Sequence, residues 1–130
     1  MFFRSAALAI CLVLTGIACP SFAAVPTEEK PIVVLRALDK ITARVEEIEL
    51  PVERPLKFGT IIITAHSCRT TPPEETPESA AFLEVTEIKA GEGETPVFRG
   101  WMFSSSPALS GMEHPVYDLW VTGCKTEPSK

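Results

Sequence analysis

The chain has 130 residues, of which 45% are hydrophobic and 22% are charged, and its formal net charge is −5. This length suits one domain rather than two, and the hydrophobic fraction is too high for a disordered chain of this charge. An acidic protein also lacks the basic surface that proteins use to bind nucleic acid. We therefore expect a single folded domain with no nucleic-acid partner.

Residues 1–23 have the parts of a secretory signal peptide. Arg4 places a positive charge near the start, and residues 6–18 form an apolar run without any charge. Ser21 and Ala23 are small residues at the spacing that signal peptidase requires, so we predict cleavage after Ala23. Because Arg4 is the only charged residue of this segment, cleavage changes the net charge from −5 to −6.

Two alternatives to a cleaved signal are less favoured. An uncleaved membrane anchor would need a longer apolar run, and Pro20 stands soon after this one. A lipoprotein acylated at Cys19 would need a large apolar residue three positions earlier, where the chain has Gly16. We therefore predict a periplasmic protein whose mature chain has no transmembrane span.

Cleavage leaves Cys68 and Cys124 as the cysteines of the mature chain. An even pair in an exported protein is most simply a disulfide. A redox-active pair is the alternative, but it would have the close C-x-x-C spacing, which is absent. Because the bond would close a long loop, we expect it to stabilise the fold by about 4 kcal/mol.

Residues 24–31 are polar and contain two prolines, which indicates a flexible tether. The next segment, 32–50, is rich in Ile, Val and Thr and predicts strands. Its apolar positions change register near Glu46 and Glu47, where we expect a β-bulge. A helix is the alternative for residues 35–48, because several apolar residues also follow helical spacing, but no clear helix cap is present. These residues are Leu35, Leu38, Ile41, Val45 and Ile48.

Further strands are expected between segments rich in proline and glycine. They cover residues 56–69, 80–88, 97–103 and 116–124. The connections are a Pro/Glu/Thr loop at 70–79, an acidic turn at 90–96 and an irregular loop at 104–115, and residues 125–130 form a loose tail. About six short strands predict an all-β domain over residues 32–124, as a small antiparallel sandwich or partly open barrel with one disulfide.

Long segments of the chain resemble the bacterial family called domain of unknown function 2155. The segments are GWMFSSSPALSGMEHPVYDLWVTGC at 100–124, LRALDKITARV at 35–45, KFGTIIITAHSCR at 57–69 and PPEETPESAAFLEV at 72–85. The resemblance extends over residues 33–124 and implies an exported protein of Gram-negative bacteria without known catalytic residues. It also supports the pairing of Cys68 with Cys124, since both lie in matching motifs. At Glu53 the family often has glycine, so a different turn is expected there.

The sequence evidence for catalytic residues is weak. Three loop serines, 104–106, precede His114, and a serine hydrolase would need its nucleophile within hydrogen-bond reach of such a base. No G-x-S-x-G motif is present. We therefore predict no catalytic residues, and a small hydrolase using Ser105 or a neighbouring serine with His114 is the enzymatic alternative.

A metal site is also not expected. His66 and His114 are the two histidines, and Glu113 or Asp118 would have to join them. Zinc usually takes three or four ligands at recognisable spacings, which the chain lacks. We predict neither a metal nor a cofactor.

The 104–115 loop is the best candidate for function, because long irregular loops are uncommon unless they act in binding or catalysis. Aromatic, methionine and polar side chains beside it would form a ligand or partner surface: Trp101, Met102, His114, Tyr117, Asp118 and Trp120. For any single aromatic residue, however, we favour the interpretation that it completes the core at one end of the sandwich. His114 and Asp118 would then hold the loop in place by hydrogen bonds. We favour a non-catalytic interaction module of the cell envelope, with another envelope protein as its partner; a purely structural envelope component is a further alternative.

Overall fold

The computed structural model describes residues 18–20 and 24–130, so nearly all of the predicted signal peptide lies outside the described residues. The elements are β1 (Glu28–Glu29), β2 (Ile32–Asp39), β3 (Arg44–Pro51), β4 (Leu56–Phe58), β5 (Ile61–Thr70), β6 (Ser79–Lys89), β7 (Gly93–Phe103), a 3-10 helix (Pro107–Ser110) and β8 (Tyr117–Lys125). Among the described residues, no helix has the length and apolar character needed to cross a membrane.

The strands form two antiparallel sheets. The larger sheet has the order β1-β5-β6-β7, with β4 also paired to β5, and the smaller sheet has the order β3-β2-β8. The predicted all-β antiparallel sandwich is therefore confirmed, and neither sheet closes into a barrel.

The core lies between the sheets because apolar residues alternate along the long strands. In β6, for example, Ala81, Leu83 and Val85 are fully buried, whereas Phe82 and Glu84 between them face outward. The largest fully buried aliphatic side chains come from both sheets: Val33, Leu35, Leu50, Ile61, Ile63, Leu83, Val85 and Val121. Burial of each such side chain contributes about 1.5–3 kcal/mol.

Residues 32–51 form a β-hairpin, which confirms the prediction of strands over a helix. Its register runs without interruption from the Ile32–Pro51 pair to the Asp39–Arg44 pair. The bulge predicted at Glu46 and Glu47 is therefore wrong. The apolar register changes because the chain turns at residues 40–43, where Asp39 Oδ1 accepts hydrogen bonds from two backbone amides. The apolar residues at this end, Ile41 and Val45, are 76% and 56% exposed.

The predicted acidic turn at 90–96 is too long. The structure has a tight turn at residues 90–92, and β7 already begins at Gly93. Gly91 and Gly93 have φ values of +81° and +70°, which glycine adopts without steric cost, so a short turn suffices. Pro96 lies inside β7, which is an edge strand with a register shift beside it. Proline is tolerated at such a position because one side of the strand has no neighbour.

The disulfide predicted between Cys68 and Cys124 is confirmed, with a Cα–Cα distance of 5.8 Å. Cys68 lies in β5 of the larger sheet and Cys124 lies in β8 of the smaller sheet. The bond therefore joins the two sheets directly.

Glu53 lies in the turn between β3 and β4 with a φ of +67°. This left-handed conformation is the one that glycine takes without strain, and it costs other residues about 1–2 kcal/mol. Its amide donates a 2.7 Å hydrogen bond to the carbonyl oxygen of Ala65. The turn thus places a glutamate side chain next to β5.

Candidate interaction site at the free edge of strand β8

The 104–116 segment connects β7, an edge strand of the larger sheet, to β8, an edge strand of the smaller sheet. Its beginning is fixed to Glu78. The Glu78 carboxylate accepts hydrogen bonds from the Ser104 hydroxyl at 3.0 Å and from the Ser105 amide at 3.1 Å, and the Ser105 hydroxyl donates to it as well. Partial burial raises the pKa of Glu78, but these hydrogen bonds outweigh burial and hold the pKa below its usual value.

The end of the segment is fixed by His114, whose side chain is only 4% exposed. Its Nδ1 accepts hydrogen bonds from the amides of Val116 and Tyr117 at 3.0 and 3.1 Å, so the proton of a neutral ring is on Nε2. Nε2 lies 2.9 Å from Glu87 Oε2. The carboxylate lies outside the direction in which the Nε2 hydrogen points, so Nε2 has no well-aligned hydrogen-bond partner among the described residues. The contact nevertheless lowers the pKa of Glu87.

Tyr117 and Lys40 connect the same region to two distant turns. The Tyr117 ring stacks on His114 at 5.2 Å, and its hydroxyl accepts a hydrogen bond from the Thr60 amide at 3.3 Å. Lys40 Nζ donates to the His114 carbonyl oxygen at 2.7 Å and lies 3.5 Å from Asp118 Oδ1. The end of the loop is therefore held by elements from three other parts of the chain.

Strand β8 has one free edge, because it pairs only with β2 among the described residues. The Lys40 amide donates to the Val116 carbonyl oxygen, which marks a hydrogen-bonded pair at the start of this ladder. Hydrogen-bonded and non-hydrogen-bonded pairs alternate in antiparallel sheets. By this alternation, Asp118 and Trp120 direct their amides and carbonyls toward β2, whereas Leu119 and Val121 direct theirs toward the free edge.

The amide of Tyr117 fits the same alternation, since it points away from β2 and is taken by His114. In the described part of the chain, no backbone hydrogen bond outside the strand pairs reaches Leu119 or Val121. Their main-chain groups are therefore available for a further strand.

A pocket of about 280 Å³ lies at this edge. The 104–116 segment contributes Pro107, Gly111 and Met112, and β8 contributes Asp118, Leu119 and Trp120. Successive residues of a strand point to opposite faces, so one cavity can contact all three β8 residues only at an edge of the strand. Because β2 occupies the other edge, the pocket lies at the free one.

The structure separates the six predicted surface residues into three groups. Asp118 and Trp120 line the edge pocket and are half-buried, whereas Met102, His114 and Tyr117 are buried. Trp101 is 36% exposed and lies on the outer face of the larger sheet. Its ring meets Phe82 edge-to-face at 5.5 Å, and Arg69 stands 5.8 Å from its centre.

The loop serines and His114 are not brought together. Ser104 and Ser105 donate to Glu78, and both ring nitrogens of His114 face other groups. Among the described side chains, none of the hydrogen bonds joins a loop serine to His114. This arrangement lacks the contact between nucleophile and base on which a serine hydrolase depends.

The two histidines likewise lie apart. His66 Nδ1 is 3.1 Å from both oxygens of Glu53, and Nε2 is 2.8 Å from Glu84 Oε2. The hydrogen bond that the ring donates to Glu84 raises the pKa of His66 more than burial lowers it. Its two carboxylates are at opposite ends of the ring, and in the described ranges no group of three His, Cys, Asp or Glu residues converges to hold a metal ion.

Sequence reasoning missed Glu87 and Lys40, which hold His114 and Asp118, and it missed the role of the Leu119 main chain. No local signal identifies the first two, because they come from strands and turns distant in sequence. The position of β8 at a sheet edge depends on strand order, which alternation of apolar residues does not specify.

The fold and this site define a small β-sandwich domain with a disulfide between its sheets and a pocket at a free strand edge. A bacterial family described as uncharacterised protein conserved in bacteria, domain of unknown function 2155, matches residues 33–124, and the chain belongs to this family. An uncharacterised protein of Rickettsia prowazekii (strain Madrid E) is 40% identical over 88 residues. The match covers 68% of this chain and 57% of that relative, so the chain spans little more than half of the relative's length. No solved structure shows a significant match.

Proposed function

We propose that this protein is an exported, non-catalytic interaction module of the Gram-negative cell envelope, which binds another envelope protein at the edge of β8. The observation that carries the proposal is the pocket formed by Met112, Leu119 and Trp120, beside main-chain groups of β8 that have no partner among the described residues. Pockets with apolar walls and a few polar groups are typical binding sites.

The surroundings of the pocket favour binding over catalysis. His114 uses Nδ1 to fix the 104–116 segment against β8, and its ring is almost completely buried. In this arrangement the histidine stabilises the end of the segment, and it is not among the residues that line the pocket.

Export is supported by the predicted signal at residues 1–23 and by the disulfide, since such bonds persist mainly in oxidising compartments. Intact-mass measurement of the protein from the periplasmic fraction tests this part of the proposal. The expected chain begins at Ala24 and has one disulfide. Recovery of the full-length chain in the cytoplasmic fraction alone would contradict export.

Site-specific photo-crosslinking in cells tests the binding site. A photoreactive phenylalanine analogue at position 120 should form a discrete adduct with an envelope protein. The matched control is the same analogue at position 45, since Val45 is exposed on β3, the opposite edge of the smaller sheet. An adduct from position 120 alone is the expected result. No adduct from position 120, or the same adduct from both positions, would overturn the proposed site.

A further inference from the structure

We propose that the partner presents an extended basic segment, which adds a strand to the free edge of β8 and inserts one apolar side chain into the pocket. This inference rests on the proposed function, because it names the form and charge of the partner at the same site. Three properties of the edge support it: its main-chain groups, the shape of its pocket and its charge.

The main-chain groups favour an extended polypeptide. Leu119 and Val121 are two residues apart and direct their amides and carbonyls outward, which is the repeat that an added strand requires. An edge with such unpaired groups is a template for pairing with another chain. Tyr117 marks the end of this template because His114 takes its amide.

The pocket favours one apolar side chain of that segment. Met112 and Leu119 are almost completely buried and provide apolar walls, and Trp120 forms the outer wall. Since alternate side chains of a strand point the same way, an added strand would direct one residue into the pocket and its neighbours away from it.

The charge around the pocket favours basic neighbours on the segment. Asp118 lines the pocket, and Glu113 is exposed between Met112 and His114 in the adjoining loop. Among the described residues, Lys40 is the cation that contacts this rim, at the Asp118 carboxylate and the His114 carbonyl oxygen, and Glu113 has no ion pair. Lysine or arginine on either side of the apolar residue would complement the two carboxylates.

Amide hydrogen exchange followed by NMR tests strand addition in the oxidised protein that begins at Ala24. The probe is a synthetic nine-residue peptide in which lysine alternates with valine, leucine and threonine. On binding, exchange at Leu119 and Val121 should slow at least tenfold. Asp118 and Trp120 are internal controls, because their amides already point toward β2 and should exchange at an unchanged rate. Unchanged exchange at Leu119 and Val121 with saturating peptide would overturn the inference.

Two matched changes test the preference for a basic segment and the insertion of a side chain into the pocket separately. A peptide with glutamate in place of each lysine should bind at least tenfold more weakly, and equal binding would overturn the basic preference. The Trp120→Ala protein should bind the lysine peptide at least tenfold more weakly, whereas Trp101→Ala, on the outer face of the other sheet, should bind it normally. Equal losses in both variants would overturn insertion into the pocket.

The outcomes also separate this inference from the proposed function. A specific adduct from position 120 together with unchanged exchange at Leu119 and Val121 would leave the binding module standing and overturn strand addition. Slowing of these two amides with rising protein concentration alone would assign the edge to a second copy of the chain, and it would overturn the basic partner.

Discussion

Gly59 packs closely against the side chain of Tyr117, which belongs to the candidate site. It has a φ of +57°, and a Cβ at this position would collide with the Tyr117 hydroxyl. Tyr117 in turn stacks on His114 and holds the start of β8. A methyl group added at Gly59 would therefore displace the Tyr117 side chain and disturb the start of β8.

We predict that Gly59→Ala lowers the free energy of unfolding by about 2–4 kcal/mol, which combines left-handed backbone strain with displacement of Tyr117. Gly91→Ala is the matched control. Gly91 also has a positive φ, but the space around its Cβ position is open, so about 1 kcal/mol is expected. Urea unfolding measures both variants, and equal losses would contradict the role of the tyrosine contact.

His66 makes stability depend on pH. The hydrogen bond that the ring donates to the Glu84 carboxylate raises the pKa of His66 above its ordinary value of 6.5, and Glu53 acts in the same direction. A raised pKa means that the charged ring stabilises the folded state fully below about pH 6.5 and that this contribution is lost as pH rises through the folded value. Arg99, which lies 3.6 Å from Glu84, is the nearby competing cation.

The difference in unfolding free energy between wild type and His66→Gln should therefore be larger at pH 5.5 than at pH 9. Urea unfolding at both pH values gives this difference. His66 and its partners are partly exposed, so the effect is expected to be modest. A difference that stays constant or grows toward pH 9 would contradict the assignment.

The sequence predicts which residues lie near the candidate site better than it predicts their contacts. The 104–115 loop and its neighbours Asp118 and Trp120 were singled out because aromatic and polar residues cluster there, and both line the edge pocket. Burial of a single aromatic residue such as Tyr117 is the interpretation that the sequence favours, and Tyr117 is buried. The contacts that His114 and Tyr117 make with Glu87 and the Gly59–Thr60 turn were not predicted, because only the tertiary fold brings these residues together.

At the scale of elements, the β2–β3 hairpin distinguishes two positions that look equivalent in the sequence. Leu35 and Ile41 both belong to the apolar series that also fits a helix. Leu35 is completely buried in β2, whereas Ile41 is exposed in the turn. Only the hairpin gives these two residues different environments.

We predict that Leu35→Ala lowers the free energy of unfolding by about 2–5 kcal/mol, as is typical for a buried leucine. Ile41→Ala should change it by about 0.5 kcal/mol or less, because the side chain is largely in solvent. Chemical denaturation of both variants provides the measurement. Similar losses at the two positions would argue against the hairpin and for a buried helical stripe.

The long strands were predictable and the short ones were not. Strands β5, β6 and β8 show alternation or long apolar runs because one face of each is buried. Strands β1 and β4 have two and three residues, which is too short for any periodic pattern. The β2–β3 turn at residues 40–43 was not predicted, because apolar Ile41 within it and Val45 just after it suggested a continuing strand.

At the scale of the whole molecule, the disulfide joins residues 56 positions apart and links the two sheets. Replacing Cys68 and Cys124 by alanine should lower the free energy of unfolding by about 4 kcal/mol, because the unfolded chain regains the freedom of a long loop. Unfolding with and without dithiothreitol measures the same contribution. The double variant is the control and should not respond to the reductant; loss of about 1 kcal/mol or less in oxidised wild type on reduction would contradict this role.

The strand order also affects the order in which parts of the smaller sheet can form during folding. The last strand, β8, pairs with β2, the first long strand, and also carries the second cysteine. One edge of β2 therefore stays exposed until β8 is available, and pairings between such distant segments form slowly. Loss of residues 117–124 would remove an edge strand of the smaller sheet and the covalent link between the sheets together.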